Sequence, residues 1–357
     1  MIQGISTDIL IVGLGPAGAS AAQASAKAGF HVIAVDRKYQ AGVPVQCAEF
    51  VPAMLSPAVN AVNYAKCQHI KSMHTFIKNT PSDRKENFPG VMIDRAKFDQ
   101  KLVADALRAG AECRFKAIVS KLDRDGTVHL STGEQIKPVV LIGADGPRSR
   151  IGSAIDSKNS DVVVSRQLTV ALMDAHNATD IFLSPDYRGG YGWLFPRGRI
   201  ANLGIGVTSN SLEMLKPLLN DLHKSVVAAK RVSQDVLSST GGIIPVGGII
   251  KPYGKLGSVL VLLCGDAAGL TNPITGAGIS SAILSGTLAA EAAKSWLEGD
   301  TGADENYAEE LHELFGAASA RAVSRRRKLL SCYKSGSAPA TRDLRSAWIA
   351  YPEYWKA

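Results

Sequence analysis

The chain has 357 residues, 46% hydrophobic and 20% charged, which is ample for a large buried core and, by length, for two domains. Its net charge of +8, from 40 Lys and Arg against 32 Asp and Glu, is compatible with an ordinary soluble surface, an anionic substrate or cofactor, or an anionic membrane surface. Five cysteines without a Cys-x-x-Cys pair argue against a disulfide scaffold or zinc site and fit a reducing cytoplasm, while no signal peptide, bilayer-length apolar run or nucleic-acid recognition module is visible.

Residues 8–12 (DILIV) read as a short buried parallel strand, bounded by Gly13. An Ala-rich helix is expected over 16–27 and a second strand over 31–35, ending at Asp36. A helix over 94–109 places Phe98, Leu102 and Leu107 along one side. Strands at 117–122 and 127–130 flank an Asp125-Gly126 turn, and 139–142 is another buried strand leading into Gly143-Ala144-Asp145-Gly146. From 162 to 207 the pattern alternates, with segments at 167–173, 181–183 and 201–207, and predicts a mostly antiparallel sheet. Helices follow at 212–226, 278–296 and 306–334, with a buried strand at 259–263; 335–339 reads as a loose linker or tail.

Gly13-Leu14-Gly15-Pro16-Ala17-Gly18 is a G-x-G-x-x-G turn between a strand and a helix. Gly13 permits the tight turn, Gly15 bares the backbone to a pyrophosphate, and Gly18 lets the helix pack on the strand. The helix N-terminus then faces the phosphate charge. Asp36, at the end of the next strand, is placed to accept hydrogen bonds from a ribose hydroxyl. The motif alone does not separate NAD from FAD. A second segment does more: Cys264-Gly265-Asp266-Ala267-Ala268-Gly269, then Gly276 and Gly278 opening another helix. Asp266 suits a polyol chain, and the second helix N-terminus suits another part of the same long ligand. The fold class expected is therefore α/β: a Rossmann-type FAD-binding domain with a three-layer parallel sheet, carrying an inserted, mostly antiparallel substrate domain. The FAD-binding domain would comprise 1–75, 92–160 and 255–300, the substrate domain 76–91 and 161–254, and a short C-terminal helical segment and tail 301–357.

With these motifs in place the chain resembles the geranylgeranyl reductase family, within the FAD proteins that include the aromatic hydroxylases. Four further segments carry the resemblance: Pro44-Val45-Gln46-Cys47-Ala48-Glu49, Asp94-Arg95-x-x-Phe98-Asp99-x-x-Leu102, Gly143-Ala144-Asp145-Gly146, and Tyr191-x-Trp193-x-Phe195-Pro196 with Asn202, Gly204 and Gly206. The resemblance implies FAD contacts at Ala17, Asp36, Cys47, Ala48, Arg95, Asp266, Gly278 and Ile279, and an adenine-side contact near Val119. Arg37 and Asp145 join the expected cofactor set with Gly13, Gly15 and Gly18. Arg95 carries a permanent charge suited to a pyrophosphate. Cys47, Tyr191 and Trp193 are the candidate catalytic residues. Two readings stay open for Cys47, a small buried packing residue or a direct flavin or substrate role. Two also stay open for the alternating aromatics, a core stripe or a wall over the flavin and an apolar substrate. The histidines show no metal-ligand spacing and no metal is expected.

The expected activity is reduction of carbon–carbon double bonds in an isoprenoid or other apolar substrate, with FAD as cofactor and NADPH or NADH among the candidate reductants. The alternative is a single-component flavin monooxygenase acting on an aromatic or bulky substrate; a flavin-binding electron carrier or sensor is a third class. Ala48 stands where the family has glycine, Phe50 fills a normally small position, and the chain ends earlier than family members, which is expected to leave the substrate side more open. The block Arg325-Arg326-Arg327-Lys328 reads either as a solvated helix face or as an anion or peripheral membrane patch of a cytoplasmic protein. Partners expected are an apolar small molecule or lipid, and no nucleic acid.

Overall fold

The structure is a computed structural model and describes residues 4–53, 59–78, 82–334 and 336–356. Ser335, the first residue of the expected linker, and parts of the expected domain ranges (1–3, 54–58, 79–81 and 357) lie outside the described residues.

The strand Ile5–Val12 is central to the first sheet. It pairs in parallel with Val32–Val35 on one side and Gln135–Gly143 on the other, with Ile9 opposite Val32 and Val140. Val259–Leu263 extends the sheet in parallel and Tyr253–Leu256 closes that edge antiparallel. Ile9, Leu10, Ile11, Val140, Leu141 and Leu260 are all fully buried, as continuous apolar strands must be when both sheet faces are covered. The helices Pro16–Lys27 and Ile279–Leu297 pack against each other at small residues. A methyl group on Gly286 would lie 2.1 Å from the Ala17 carbonyl oxygen, so only glycine allows this approach.

The second sheet runs Val232–Pro245, Val162–Leu172, Ile200–Thr208, Gly192–Arg197, Ala178–Leu183, Ser72–Ile77, Asp83–Lys85. Among the described residues its pairings are antiparallel except Ala178–Leu183 with Ser72–Ile77. The fold class read from the sequence is therefore the observed one. The long strand Val232–Pro245 is an addition to the elements expected from the sequence. Much of its run is exposed and rich in Ser and Gly, so it lacks the apolar signal that marks a buried strand. Past residue 340, the helix Thr341–Ser346 and the segment after it pack back onto this sheet, with Leu344, Trp348 and Tyr351 buried beside Trp193 and Phe195, and the short helix Pro352–Trp355 follows. No helix among the described residues is long and apolar enough to cross a membrane.

The helix Arg95–Arg108 requires one correction. Phe98, Leu102 and Ala106 are buried, but Leu107 is 51% exposed. Nine residues separate Leu107 from Phe98, which at roughly 100° each brings it to the opposite face. Asp94 caps this helix by accepting from the Lys97 amide at 3.0 Å.

A further correction concerns the histidines. His74, distant in sequence from His176 and Asp180, meets them so that ligand-type atoms of all three lie within 4.8 Å of one another. The Arg231 guanidinium lies on the same buried carboxylate, so a fixed cation already occupies that charge. The group is an ion-pair cluster. Burial alone would raise the Asp180 pKa, but His176, His74 and Arg231 outweigh it and hold it at about 2.

Phe98→Ala is expected to cost about 3–5 kcal/mol in denaturant unfolding and Leu107→Ala less than about 0.5, the two outcomes reporting which face packs. A depressed carboxyl contributes stability above its unfolded pKa and loses it as pH falls toward the folded value. The stability advantage of wild type over Asp180→Asn should thus shrink by on the order of 2 kcal/mol between pH 5 and pH 2, read by urea titration at each pH; a constant difference would refute the ion-pair reading.

Candidate functional site

A cleft of about 1040 Å³ runs between the two sheets. That is at the upper end of the roughly 300–1,000 Å³ typical of small-molecule sites, room for a long cofactor and a substrate together. One wall is the glycine turn. Gly13 has φ +102°, and a Cβ there would lie 2.2 Å from the Ala144 carbonyl oxygen. Gly15 is different: a Cβ would meet no described protein atom within 4 Å, and the residue lines the cleft. It forms the N-cap of the helix starting at Pro16, with no side chain capping the helix amides. Those amides carry the positive end of the helix dipole and remain available to an anion. Gly18 does not line the cleft; it seats the helix, where a Cβ would lie 1.8 Å from the Gly13 carbonyl oxygen.

Asp36 stands at the end of its strand as expected, and its carboxylate also holds the turn. Its Oδ2 accepts from the Leu14 amide at 2.7 Å and its Oδ1 from the Lys38 amide at 2.8 Å. Arg37 and Val119 line the same end of the cleft. Asp145 also lines it, with its carboxylate taken up by Ser149 Oγ at 2.5 Å and the Arg150 amide at 2.7 Å. Burial pushes the Asp145 pKa up against those hydrogen bonds.

Opposite, the turn after Val259–Leu263 delivers Asp266. Burial raises its pKa, opposed by a hydrogen bond from Thr271 Oγ1 at 2.9 Å and by the Arg95 charge. Gly278 then N-caps the helix Ile279–Leu297, again without a side-chain cap. Two helix N-termini thus open on one cleft. Cationic side chains lining it (Arg37, Lys38, Arg95, Arg148, Arg150, Arg326) outnumber the carboxylates (Asp36, Asp99, Asp145, Asp266), a balance suited to an anionic ligand. Arg95 spends Nε and Nη2 on Asp99, at 2.7 and 3.3 Å.

The loop bearing Cys47 and Ala48 is stitched between the halves of the molecule. Thr240 Oγ1 donates to the Val45 carbonyl at 2.7 Å, Gln167 Nε2 to that of Cys47 at 3.3 Å and Asn202 Nδ2 to that of Ala48 at 3.3 Å. Glu49, buried with φ +68°, accepts the Arg95 amide at 3.0 Å and Asn202 Nδ2 at 2.8 Å, and pairs with Arg197 at 3.3 Å. Cys47 Sγ accepts from the Glu49 amide at 3.2 Å and stands beside the Arg95 guanidinium. Glu49 lies within a motif whose sequence alone assigns it no role. Gln167, Thr240 and Arg197 have no local signal, because their partners lie far away in sequence.

The alternating aromatics divide between the two open readings. Phe195 is core and does not line the cleft; Trp193 is core and lines it, and Tyr191, partly buried against that core, lines it too. Trp193 Nε1 donates to Gln167 Oε1 at 3.0 Å, and Tyr191 Oη to the Thr275 carbonyl at 2.6 Å. Burial pushes the Tyr191 phenol up, so it stays protonated. Gly204 explains the glycines after the aromatics: its Cβ would lie 2.2 Å from the Trp193 ring. Trp348, from the C-terminal segment, backs Tyr191 with ring centroids 4.8 Å apart. The basic block is also corrected in part. Arg326 is 4% exposed and belongs to no solvated face.

No protein-family model matches the chain. It is 34% identical over 320 residues to digeranylgeranylglycerophospholipid reductase 2 of Methanosphaera stadtmanae, covering 83% of this chain and 80% of that protein. Among solved structures it is similar to a geranylgeranyl bacteriochlorophyll reductase-like protein from Thermoplasma acidophilum, with TM-score 0.81, 24% identity, and coverage of 99% and 98% of the two chains. It is also similar to a probable FAD-dependent monooxygenase from Pseudomonas aeruginosa, at TM-score 0.66, 18% identity, and coverage of 92% and 96%. Both structural likenesses bear on the fold.

Gly18→Ala should destabilise the protein by about 1–3 kcal/mol through overpacking, whereas Gly15→Ala should change thermal or denaturant stability by less than about 0.5 kcal/mol. Equal effects in unfolding curves would contradict the division of labour within the turn.

Proposed function

The chain belongs to the digeranylgeranylglycerophospholipid reductase family, and from that membership we propose that it is an FAD-dependent reductase saturating carbon–carbon double bonds of a prenyl lipid. The observation that carries this reading is the pair of uncapped helix N-termini, at Pro16 and Ile279, sharing one cleft with the Cys47 loop and the Tyr191–Trp193 wall. The residues present fit FAD. The bare backbone at Gly15 would admit a phosphate, Asp36 and Arg37 would flank the ribose end, and Val119 would border the adenine side. Arg95 and the helix amides would meet the pyrophosphate, Asp266 the polyol chain, and the Gly278–Ile279 amides the ring system. FAD, when bound, supplies hydride chemistry to an alkene.

This chain's own residues orient the lipid and exclude water. Trp193 acts as wall, because its Nε1 proton is committed to Gln167. Tyr191 Oη is likewise tied to Thr275 and acts as a rigid apolar surface. Cys47 Sγ accepts rather than donates in its hydrogen bond with the Glu49 amide, which leaves its own proton free to move to the alkene carbon. Ala48, anchored through its carbonyl, sets the width of the gap beside it. In this reading NADPH or NADH reduces the flavin, and the protein meets its lipid at the periphery of a cytoplasmic membrane face. The flavin hydroxylase alternative shares the fold; its support is the structural likeness to a monooxygenase, at lower identity than the reductase relatives.

Purified protein should be yellow and release FAD on denaturation. Gly15→Val, at a cleft-lining position where a Cβ meets no described protein atom within 4 Å, should lower FAD retention by about tenfold or more while the apoprotein remains folded. Anaerobic incubation of reduced protein with an unsaturated prenyl diether lipid should add two hydrogens per double bond, read by mass spectrometry. Oxygen-dependent hydroxylation without hydrogen addition would sink the reductase reading.

A further inference from the structure

The four consecutive basic residues near the end of the helix Ala303–Lys334 do different things. Arg325 Nε donates to the Tyr354 carbonyl at 3.0 Å and ties down the C-terminal segment. Arg327 borders a separate depression of about 410 Å³. Arg326 turns inward, is 4% exposed and lines the large cleft. Its Nη1 donates to the Gly189 carbonyl, and its Nε lies 3.5 Å from the half-exposed carboxylate of Asp161. Its Nη2 has no partner among the described residues.

A guanidinium removed from water costs free energy unless its charge and donors are satisfied. One long pair to a half-exposed carboxylate and one carbonyl do not satisfy it, and burial accordingly makes its protonated form harder to keep. Glycine at 189 keeps a side chain off this donor: a Cβ there would lie 3.2 Å from Nη2. Gly189 and Gly190 lead directly into Tyr191, so this donor belongs to the part of the cleft walled by the second sheet, with the aromatics, and not to the glycine turn.

We propose that Arg326 is the headgroup residue of the substrate site, binding a phosphate carried by a prenyl lipid whose chain passes Gly190 and Tyr191. The proposal rests on the reductase reading for the identity of the lipid. A guanidinium presents paired donors to phosphate oxygens, which accounts for an arginine here better than a lysine would. Asp161 is then a placeholder that competes with the phosphate for the same cation.

The test is equilibrium binding by calorimetry to the FAD-loaded protein, without turnover, using geranylgeranyl phosphate, geranylgeraniol and inorganic phosphate as probes. Wild type should bind the phosphate ester about tenfold or more tighter than the alcohol, and inorganic phosphate more weakly than the ester. Arg326→Gln should abolish the preference and leave alcohol binding within about twofold, with Arg326→Lys in between. Asp161→Asn, at a half-exposed position, should increase the preference, and it carries the test if Arg326→Gln fails to fold or to hold FAD. Equal binding of ester and alcohol by wild type, parallel loss of both in Arg326→Gln, an unchanged preference in Asp161→Asn, or inorganic phosphate binding as tightly as the ester would each overturn the proposal. Binding of the ester through Arg326 with no double bond ever reduced would instead overturn the reductase reading and leave this one standing.

Discussion

The cleft exists because a buried carboxylate must be paired. Glu49 is 3% exposed, and its oxygens are met by the Arg95 amide from one helix and by Asn202 and Arg197 from two strands of the second sheet. An unpaired buried charge is worth several kcal/mol of destabilisation, so these partners hold the two sheets at one spacing. The positive φ of Glu49 belongs to the same constraint. An ordinary residue is kept in the left-handed region because three partners determine where its side chain goes. Cys47 and Ala48, just before it, inherit their positions from this anchor, and the gap beside the aromatic wall follows.

The two parts of the cleft, the proposed cofactor side and the proposed substrate side, are built by different means. On the cofactor side, backbone does the work: glycines without side chains, helix N-termini without caps, and buried aspartates already engaged with neighbouring amides or hydroxyls. That construction is rigid and polar, and its excess of cations suits phosphates. On the substrate side, large rings are fixed by single hydrogen bonds at their edges, Trp193 through Gln167 and Tyr191 through Thr275, leaving apolar faces to the cleft. The C-terminal segment adds Trp348 behind Tyr191, so a stretch that reads as tail in sequence stiffens the wall.

Much of the first sheet was legible because its signals are local. The run 8–12, the glycine turn, the helix Pro16–Lys27 and Asp36 follow each other within one βαβ unit, and each constrains the next. The second sheet was legible only in outline. Its strand Val232–Pro245 is polar and glycine-bearing, and its packing partners lie in strands read much earlier in the chain. Leu107 shows the limit of counting apolar residues along a helix without following the full period. Arg326 shows the limit of reading charge runs as surfaces, since rotation of roughly 100° per residue separates the fates of adjacent arginines.

What the amino-acid order determined by itself was the fold class, the dinucleotide-type turn and the types of residue that meet in the cleft. These depend on local periodicity, glycine conformational freedom and helix-end chemistry, all encoded within a few tens of residues. Only the tertiary structure decided which donors are spent and which are left over. It committed the Trp193 and Tyr191 protons to Gln167 and Thr275, gave Glu49 its three partners, and left Arg326 buried with an open donor. The physical reason is that hydrogen-bond satisfaction is a property of pairs, and pairs in this cleft join residues as distant in sequence as Arg326 and Asp161, 165 positions apart, and Thr240 and Val45, 195 apart.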